Sequence, residues 1–295
     1  MAYTTIDKPS DYFNTALWTG TGAARNITDF GHDTDWVWIK SRANTYNHRL
    51  VDSVRGATKS LYSDSTSAES TESAGVTGFI TDGVSLGGDT GVNFSGNYVG
   101  WSWVAGGTAS SNTDGTLTTS VSANTTAGFS IATYTGNKTS GATIGHGLGV
   151  VPSMVIIKNR TAGTDHWLVY HKDIGNTKFL YFSLTNAELT SSQAWNNTTP
   201  DSSVVTLGNS DLVNGSSENL VAYCFAEKKG YSKFGSYTGN GVGVTALTNN
   251  IDIVSNGFKQ RTDTGYNNQS GQTYIYMAIA ENPFTTSTGI PTTAR

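Results

Sequence analysis

The chain has 295 residues, of which 14% are charged and 11% aromatic, with 34 glycines and abundant Ser, Thr and Asn. This mixture disfavours helix and suits short strands joined by Gly/Asn turns. A net charge of −4 with no basic block lacks the footprint of a nucleic-acid binder. No run approaches the 18 apolar residues of a membrane span.

In chain order, the opening residues Met1-Ala-Tyr-Thr-Thr-Ile-Asp-Lys8 carry no apolar signal core, so no export signal is expected. Trp18-Thr-Gly-Thr-Gly22 is the first of three aromatic-Thr-Gly openings; the others are Tyr134-Thr-Gly-Asn-Lys138 and Tyr237-Thr-Gly-Asn-Gly241. Self-similarity of this kind signals a repeat architecture. The apolar strand Asp35-Trp-Val-Trp-Ile-Lys-Ser-Arg42 matches Ser153-Met-Val-Ile-Ile-Lys-Asn-Arg160. Eight residues after each lysine stands a histidine, His48 and His166, followed by Lys59-Ser-Leu-Tyr62 and Lys178-Phe-Leu-Tyr181. Phe79-Ile-Thr-Asp-Gly83, Val204-Val-Thr-Leu-Gly208 and Ile253-Val-Ser-Asn-Gly257 form another set, and Asn93-Phe-Ser-Gly96 and Asn214-Gly-Ser-Ser217 read as tight hairpin loops.

Each unit closes on an alternating strand: Asn97-Tyr-Val-Gly-Trp-Ser-Trp-Val104, Asn219-Leu-Val-Ala-Tyr-Cys-Phe-Ala226 and Thr273-Tyr-Ile-Tyr-Met-Ala-Ile-Ala280. Alternation of large and small residues predicts packing on both faces, with small residues where another layer approaches closely. Cys224 fits a small buried apolar residue, and a single cysteine excludes an intrachain disulfide framework and cysteine-rich zinc sites. The predicted fold is all-β, as tandem jelly-roll or lectin-like β-sandwich units, two full and one abridged. Unit one spans 1–107, with the repeat itself at 12–107. A linker covers 108–127, where Thr116–Ala123 alternates as a linking strand. Unit two spans 128–230. The abridged unit spans 231–295, its repeat ending at 284. One- or two-turn helices are expected near Lys59 or Asn186-Ala-Glu-Leu189.

No catalytic constellation is apparent. Asp29, Asp33, Asp52, Glu69, Asp173 and Glu188 carry no spacing that pairs them as glycosidase carboxylates. Gly20-Thr-Gly22 and Gly145-His-Gly-Leu-Gly149 lack the lysine and helix of a phosphate loop and read as turns. Neither metal nor cofactor is expected. Lys40, Arg42 and His48 recur as Lys158, Arg160 and His166, and duplication favours a structural role over a catalytic one. Trp18, Trp36, Trp38 and Trp167 lie in apolar alternation and read as core. Trp195, in the polar stretch Ser191-Ser-Gln-Ala-Trp-Asn-Asn197, is expected to be exposed and is the candidate glycan contact.

Tyr12-Phe-Asn-Thr15, the Thr-Gly turns, Asp35–Lys40, Ser122-Ala-Asn-Thr-Thr-Ala-Gly-Phe-Ser130, Gly145–Gly149, Tyr231-Ser-Lys-Phe-Gly-Ser-Tyr-Thr-Gly239 and Ala280-Glu-Asn-Pro-Phe284 resemble a repetitive virion structural protein of marine tailed bacteriophages. The resemblance covers nearly the whole chain. It implies a tail-fibre-like or capsid-decoration protein, some of its kind being lectin-like sandwiches, with no catalytic residues to carry over. The expected function is therefore a non-catalytic virion surface protein, made in the host cytoplasm. Its expected partners are other capsid or tail proteins and further copies of itself, with neither nucleic acid nor membrane. A receptor-binding module for host-surface glycan is the alternative, and a polysaccharide depolymerase the third choice. The third unit departs from the pattern by lacking the Lys-x-Arg strand and the histidine segment. Residues 231–284 are expected to complete their core against unit two or a neighbouring subunit.

Overall fold

Alternating apolar and polar residues over five to eight positions form strands, and Gly/Asn pairs turn the chain between them. The computed structural model describes residues 4–243, 251–254, 257–262 and 267–281. Copy one holds β1 (Phe13–Gly20), β2 (Arg25–Ile27), β3 (Trp36–Ser41), β4 (Arg49–Asp52), β5 (Lys59–Ser60), β6 (Ser70–Thr71), β7 (Val76–Ile80), β8 (Gly83–Leu86) and β9 (Gly96–Trp103). Copy two follows with β10 (Ser110–Asn112), β11 (Thr119–Asn124), β12 (Phe129–Thr135), β13 (Thr143–Gly145), β14 (Met154–Asn159), β15 (Leu168–His171), β16 (Lys178–Tyr181) and β17 (Leu189–Thr190). It ends with the one-turn helix α1 (Ser192–Trp195), β18 (Val204–Thr206), a second one-turn helix α2 (Asp211–Asn214) and β19 (Asn219–Phe225). The third copy has β20 (Ser232–Thr238), β21 (Ile251–Val254), β22 (Gly257–Gln260) and β23 (Thr273–Ile279).

The fold is all-β and every named sheet is antiparallel. The repeat is visible in the pairing. In each copy the opening strand pairs along its whole length with the closing strand: Phe13 opposite Trp103, Phe129 opposite Phe225, Ser232 opposite Ile279. In copy one the main sheet runs β1-β9-β3-β4, in copy two β10-β11-β12-β19-β14-β15-β16-β17, and in the third copy β20-β23. The smaller partners are β2-β8-β7, β13-β18 and β21-β22.

Residues 10–226 form one compact unit, and residues 1–9 with 227–295 another. Within the first, the stretch read as a linker carries two strands. Thr119–Asn124 pairs fully with β12, and Ser110–Asn112 with β11, so both strands of 108–127 belong to the sheet of copy two. Its Gly/Ser/Asn composition suggested flexibility, but cross-strand pairing overrides composition where a neighbouring edge is available. The helical turns lie at α1 and α2, while Lys59 begins a strand and Leu189 lies in one.

The alternation of the closing strands has a direct cause. Gly100 and Ala222 face their own copy's core; a Cβ on Gly100 would stand 2.9 Å from Phe30 Cζ and 3.0 Å from Trp18 Cη2. On the opposite face Trp103, Tyr223 and Phe225 meet across the junction of the two copies. Trp36 stacks on Tyr223 at 4.5 Å, and Trp103 lies 6.4 Å from both Phe129 and Phe225. Trp38 meets Phe182 edge-on at 5.4 Å. The two main sheets thus pack through an aromatic layer, beyond which each has its own apolar core.

A buried asparagine closes every copy. Asn93 Nδ2 donates to Ala23 O and Gly87 O, Asn214 Nδ2 to Thr139 O and Gly208 O, and Asn268 Nδ2 to Val242 O and Thr262 O. Each asparagine Oδ1 accepts a backbone N–H from the opening turn, of Thr21, Asn137 and Asn240 respectively. The leading aromatic of that turn donates to the carbonyl before the asparagine: Trp18 to Val92, Tyr134 to Val213, Tyr237 to Asn267. The turn glycine is required by close approach, since a Cβ on Gly20 would lie 1.8 Å from Phe94 O. Gly136 and Gly239 meet the equivalent carbonyls, of Gly215 and Gln269, at 2.3 Å.

Candidate functional site

The largest assembly of charge lies between copies one and two. The turn after β4 returns Arg55 onto Asp52, with N donating to Oδ1 at 2.8 Å and Nε to Oδ2 at 2.5 Å. Arg55 Nη1 donates to Glu69 Oε2 and Lys59 O, and Nη2 to Leu50 O and the Tyr223 hydroxyl. All five guanidinium donors are satisfied, which a buried arginine requires. Tyr223 in turn donates to Asp52 Oδ2 at 2.7 Å. Glu69 reaches into copy two, receiving Arg160 Nε at 2.8 Å and Nη2 at 2.9 Å as a bidentate fork.

The electrostatics follow from this geometry. Burial alone would lower the Arg55 pKa, but Asp52, with Glu69, more than offsets it and holds the side chain charged. Burial pushes the Tyr223 hydroxyl well up. For Glu69, burial works upward, yet the Arg160 hydrogen bonds and the Arg55 charge outweigh it, and its pKa falls below the ordinary carboxylate value. Asp52 and Glu69 are both spent on Arg55 and do not flank a cleft. The arrangement clamps two copies together.

The repeated lysines organise loops. Lys40 Nζ donates to Tyr46 O at 2.5 Å and Asn44 O at 3.3 Å. Lys158 Nζ donates to Asn159 O at 2.7 Å, Asp165 O at 2.9 Å and, across the junction, Thr66 O at 3.0 Å. Burial lowers the Lys158 pKa to about 8, only partly opposed by Asp165. The two arginines have diverged. Arg42 and Arg160 make the same backbone bond, to Asn97 O and Asn219 O, but Arg42 is exposed while Arg160 is forked onto Glu69.

The histidines are not equivalent, despite their equal spacing from the lysines. Trp38 lies opposite Leu50, whereas its counterpart Ile156 lies opposite Val169. The ladder has therefore shifted by one residue, and the position of His48 is taken in copy two by Trp167. Leu61, bridged to Leu50, and Leu180, opposite Val169, share the same offset. His48 Nδ1 accepts from Trp38 Nε1 at 2.8 Å, and its pKa is lowered chiefly by burial. Trp167 is buried and donates to Tyr62 O, while His166 sits beside Tyr181 with Nδ1 3.0 Å from Ser183 Oγ. Copy two has one residue more than copy one between these paired strands, so equal spacing from the lysines does not place the two histidines at equivalent positions.

Trp195 is fully buried, contrary to the expectation that it is exposed. Ser191 caps α1, its Oγ accepting from Gln193 N, and the single turn directs Ala194 and Trp195 into the core of copy two. The indole donates to Lys178 O at 3.0 Å and meets Tyr170 edge-on. The turn leaves Ser192 and Gln193 on its exposed side, so the polar residues around Trp195 say nothing of its own exposure.

Of open surface, a hydroxyl-lined groove of about 340 Å³ lies on the sheet of copy two, with Ser120, Thr133, Thr135, Asn219 and Arg160 among its lining. Among the described residues no group of three or more His, Cys, Asp or Glu is arranged to hold a metal ion, and no helix is long and apolar enough to cross a membrane. Sequence reasoning missed Arg55, Asp52 and Tyr223 as a junction, because no spacing links the Asp52–Arg55 turn to Tyr223, 168 residues beyond Arg55. The asparagine latch left a readable signal: an Asn ten or eleven residues before the last bulky residue of each closing strand, as in Asn93 to Trp103, Asn214 to Phe225 and Asn268 to Ile279.

No curated protein and no solved structure matches the chain. A family model, a domain of unknown function designated DUF7483, matches residues 8–246 and 243–283. The repeats, their latches and their junction lie within those bounds, and the chain belongs to the DUF7483 family.

Proposed function

We propose that this protein is a non-catalytic structural component of a bacteriophage particle, displayed on its surface as a decoration or short-spike protein and built from sandwich-like repeats. The observation that carries this reading is where the chemistry-bearing side chains go. Arg55, Asp52, Glu69, Arg160 and Lys158 bind one another or backbone carbonyls at the junction of two copies. Such a site resists deformation and turns nothing over. The resemblance of the openings and strands to marine phage virion proteins supports the same reading. Antibody labelling of intact particles is expected to decorate their exterior, and labelling confined to lysate proteins outside the particle would overturn the proposal.

A second reading, glycan recognition, is favoured by the groove, whose hydroxyls and Asn219 amide match the hydrogen-bonding needs of a sugar. Binding to host-surface glycans that is lost in Thr133→Val and Asn219→Ala, with stability retained, supports it. Undiminished binding in both variants removes the groove from consideration.

A further inference from the structure

In copies one and two the closing strand is central. β9 pairs with β1 on one side and β3 on the other, and β19 with β12 and β14. The second edge is fastened alike in both. Arg42 N donates to Asn97 O and Asp35 N to Trp103 O; Arg160 N donates to Asn219 O and Ser153 N to Phe225 O.

In the third copy β23 has β20 alone as its neighbour among the described residues. Ala280 N donates to Tyr231 O and Gly239 N to Gln272 O. With the antiparallel register, these bonds direct the peptide groups of Tyr274, Tyr276 and Ala278 toward β20. Those of Thr273, Ile275, Met277 and Ile279 point to the opposite edge. They stand where Asn97, Val99, Trp101 and Trp103 of β9 border β3.

We propose that this edge takes a second copy of the chain, with β23 pairing antiparallel to the partner's β23 to give a four-stranded sheet, β20-β23-β23-β20. Three observations support that occupant. First, the edge is filled in both other copies by an apolar strand, Trp36–Ser41 or Met154–Asn159, from the segment the third copy lacks. Second, β23 reads TYIYMAI and carries neither charge nor proline, the devices that keep a lone edge unpaired. Third, identical strands paired antiparallel are related by a two-fold axis, so the contact closes at a dimer and matches strand length without adjustment. The inference concerns assembly alone and stands apart from the particle on which the protein is displayed.

Size-exclusion chromatography with light scattering on the full chain tests it. The wild-type chain is expected at twice the chain mass. Met277→Pro removes an amide that points away from β20, so it should halve the mass while far-ultraviolet circular dichroism stays unchanged. Ile275→Lys, which places a charge on the edge without altering the backbone, should do the same and decides the matter if the proline variant misfolds. A wild-type mass other than a dimer's, or a folded Ile275→Lys variant that keeps the dimer mass, overturns the proposal.

Discussion

The Tyr223 hydroxyl stands 2.7 Å from Asp52 Oδ2 and 3.2 Å from Arg55 Nη2, so a side chain of copy two completes the shell of a buried ion pair in copy one. Removing one partner of such a pair leaves an uncompensated buried charge, at a cost of roughly 3–5 kcal/mol. Arg55→Ala is expected to lose stability of that order in denaturant unfolding. Tyr223→Phe, which removes the hydrogen bonds to both Asp52 and Arg55, should lose at least about 1.5–3 kcal/mol, the range for one bond to a charged group.

Glu69 makes the junction sensitive to acid. Its folded-state pKa is depressed, so its contribution is fully present above the ordinary value of 4.5 and is lost as pH falls through the lower folded value. The thermal midpoint is expected to fall on acidification below that point. Glu69→Gln should be less stable than wild type at neutral pH and should show a shallower acid slope.

Lys158 gives a pH slope of the same sign, at alkaline pH. Its folded pKa of about 8 lies below the ordinary 10.5, so between these values the unfolded chain binds more protons and this residue's contribution to stability rises with pH. Lys158→Met is expected to remove that rise. Unfolding curves at pH 7.5 and 10 on both proteins measure it, and an identical slope in the two would count against the assignment.

The asparagine latch is expected to tolerate no substitution. Asn214→Ala strands one N–H and two carbonyls, each worth about 1 kcal/mol or more when buried, for a loss of about 3 kcal/mol in denaturant melts. Asn214→Asp keeps the acceptor but has no amide to donate, so it should fare little better.

Trp195 is a core residue, and Trp195→Ala should cost about 3–5 kcal/mol as a cavity forms. Glycan binding, where present, should survive in Trp195→Phe, which keeps most of the volume and loses only the bond to Lys178 O.

The strands and their order of recurrence were legible because pleated sheet imposes a period of two and because the copies could be read against one another. Trp101 and Trp103, and Tyr223 and Phe225, announced two-faced closing strands, and the faces are as alternation requires. The correspondence of His48 with His166 failed because equal spacing along the chain does not guarantee equal register across a sheet. Trp195 misled through its neighbours, whose polarity belongs to the other side of a helical turn. The Arg55 cluster was out of reach because its members come from a turn, a hairpin and two strands that only tertiary packing unites. The reading of residues 282–284 as the end of the third repeat falls outside the described residues.

Because the first and last strands of each copy are hydrogen-bonded neighbours, the chain enters and leaves every copy at the same point. Phe13 and Trp103, then Phe129 and Phe225, gather these doorways into one aromatic cluster. Such a module can be duplicated, deleted or shortened between its doorways without rerouting what comes before or after. Length variation among relatives should therefore arrive in whole copies or in the interior of one, as the missing segment of the third copy already illustrates.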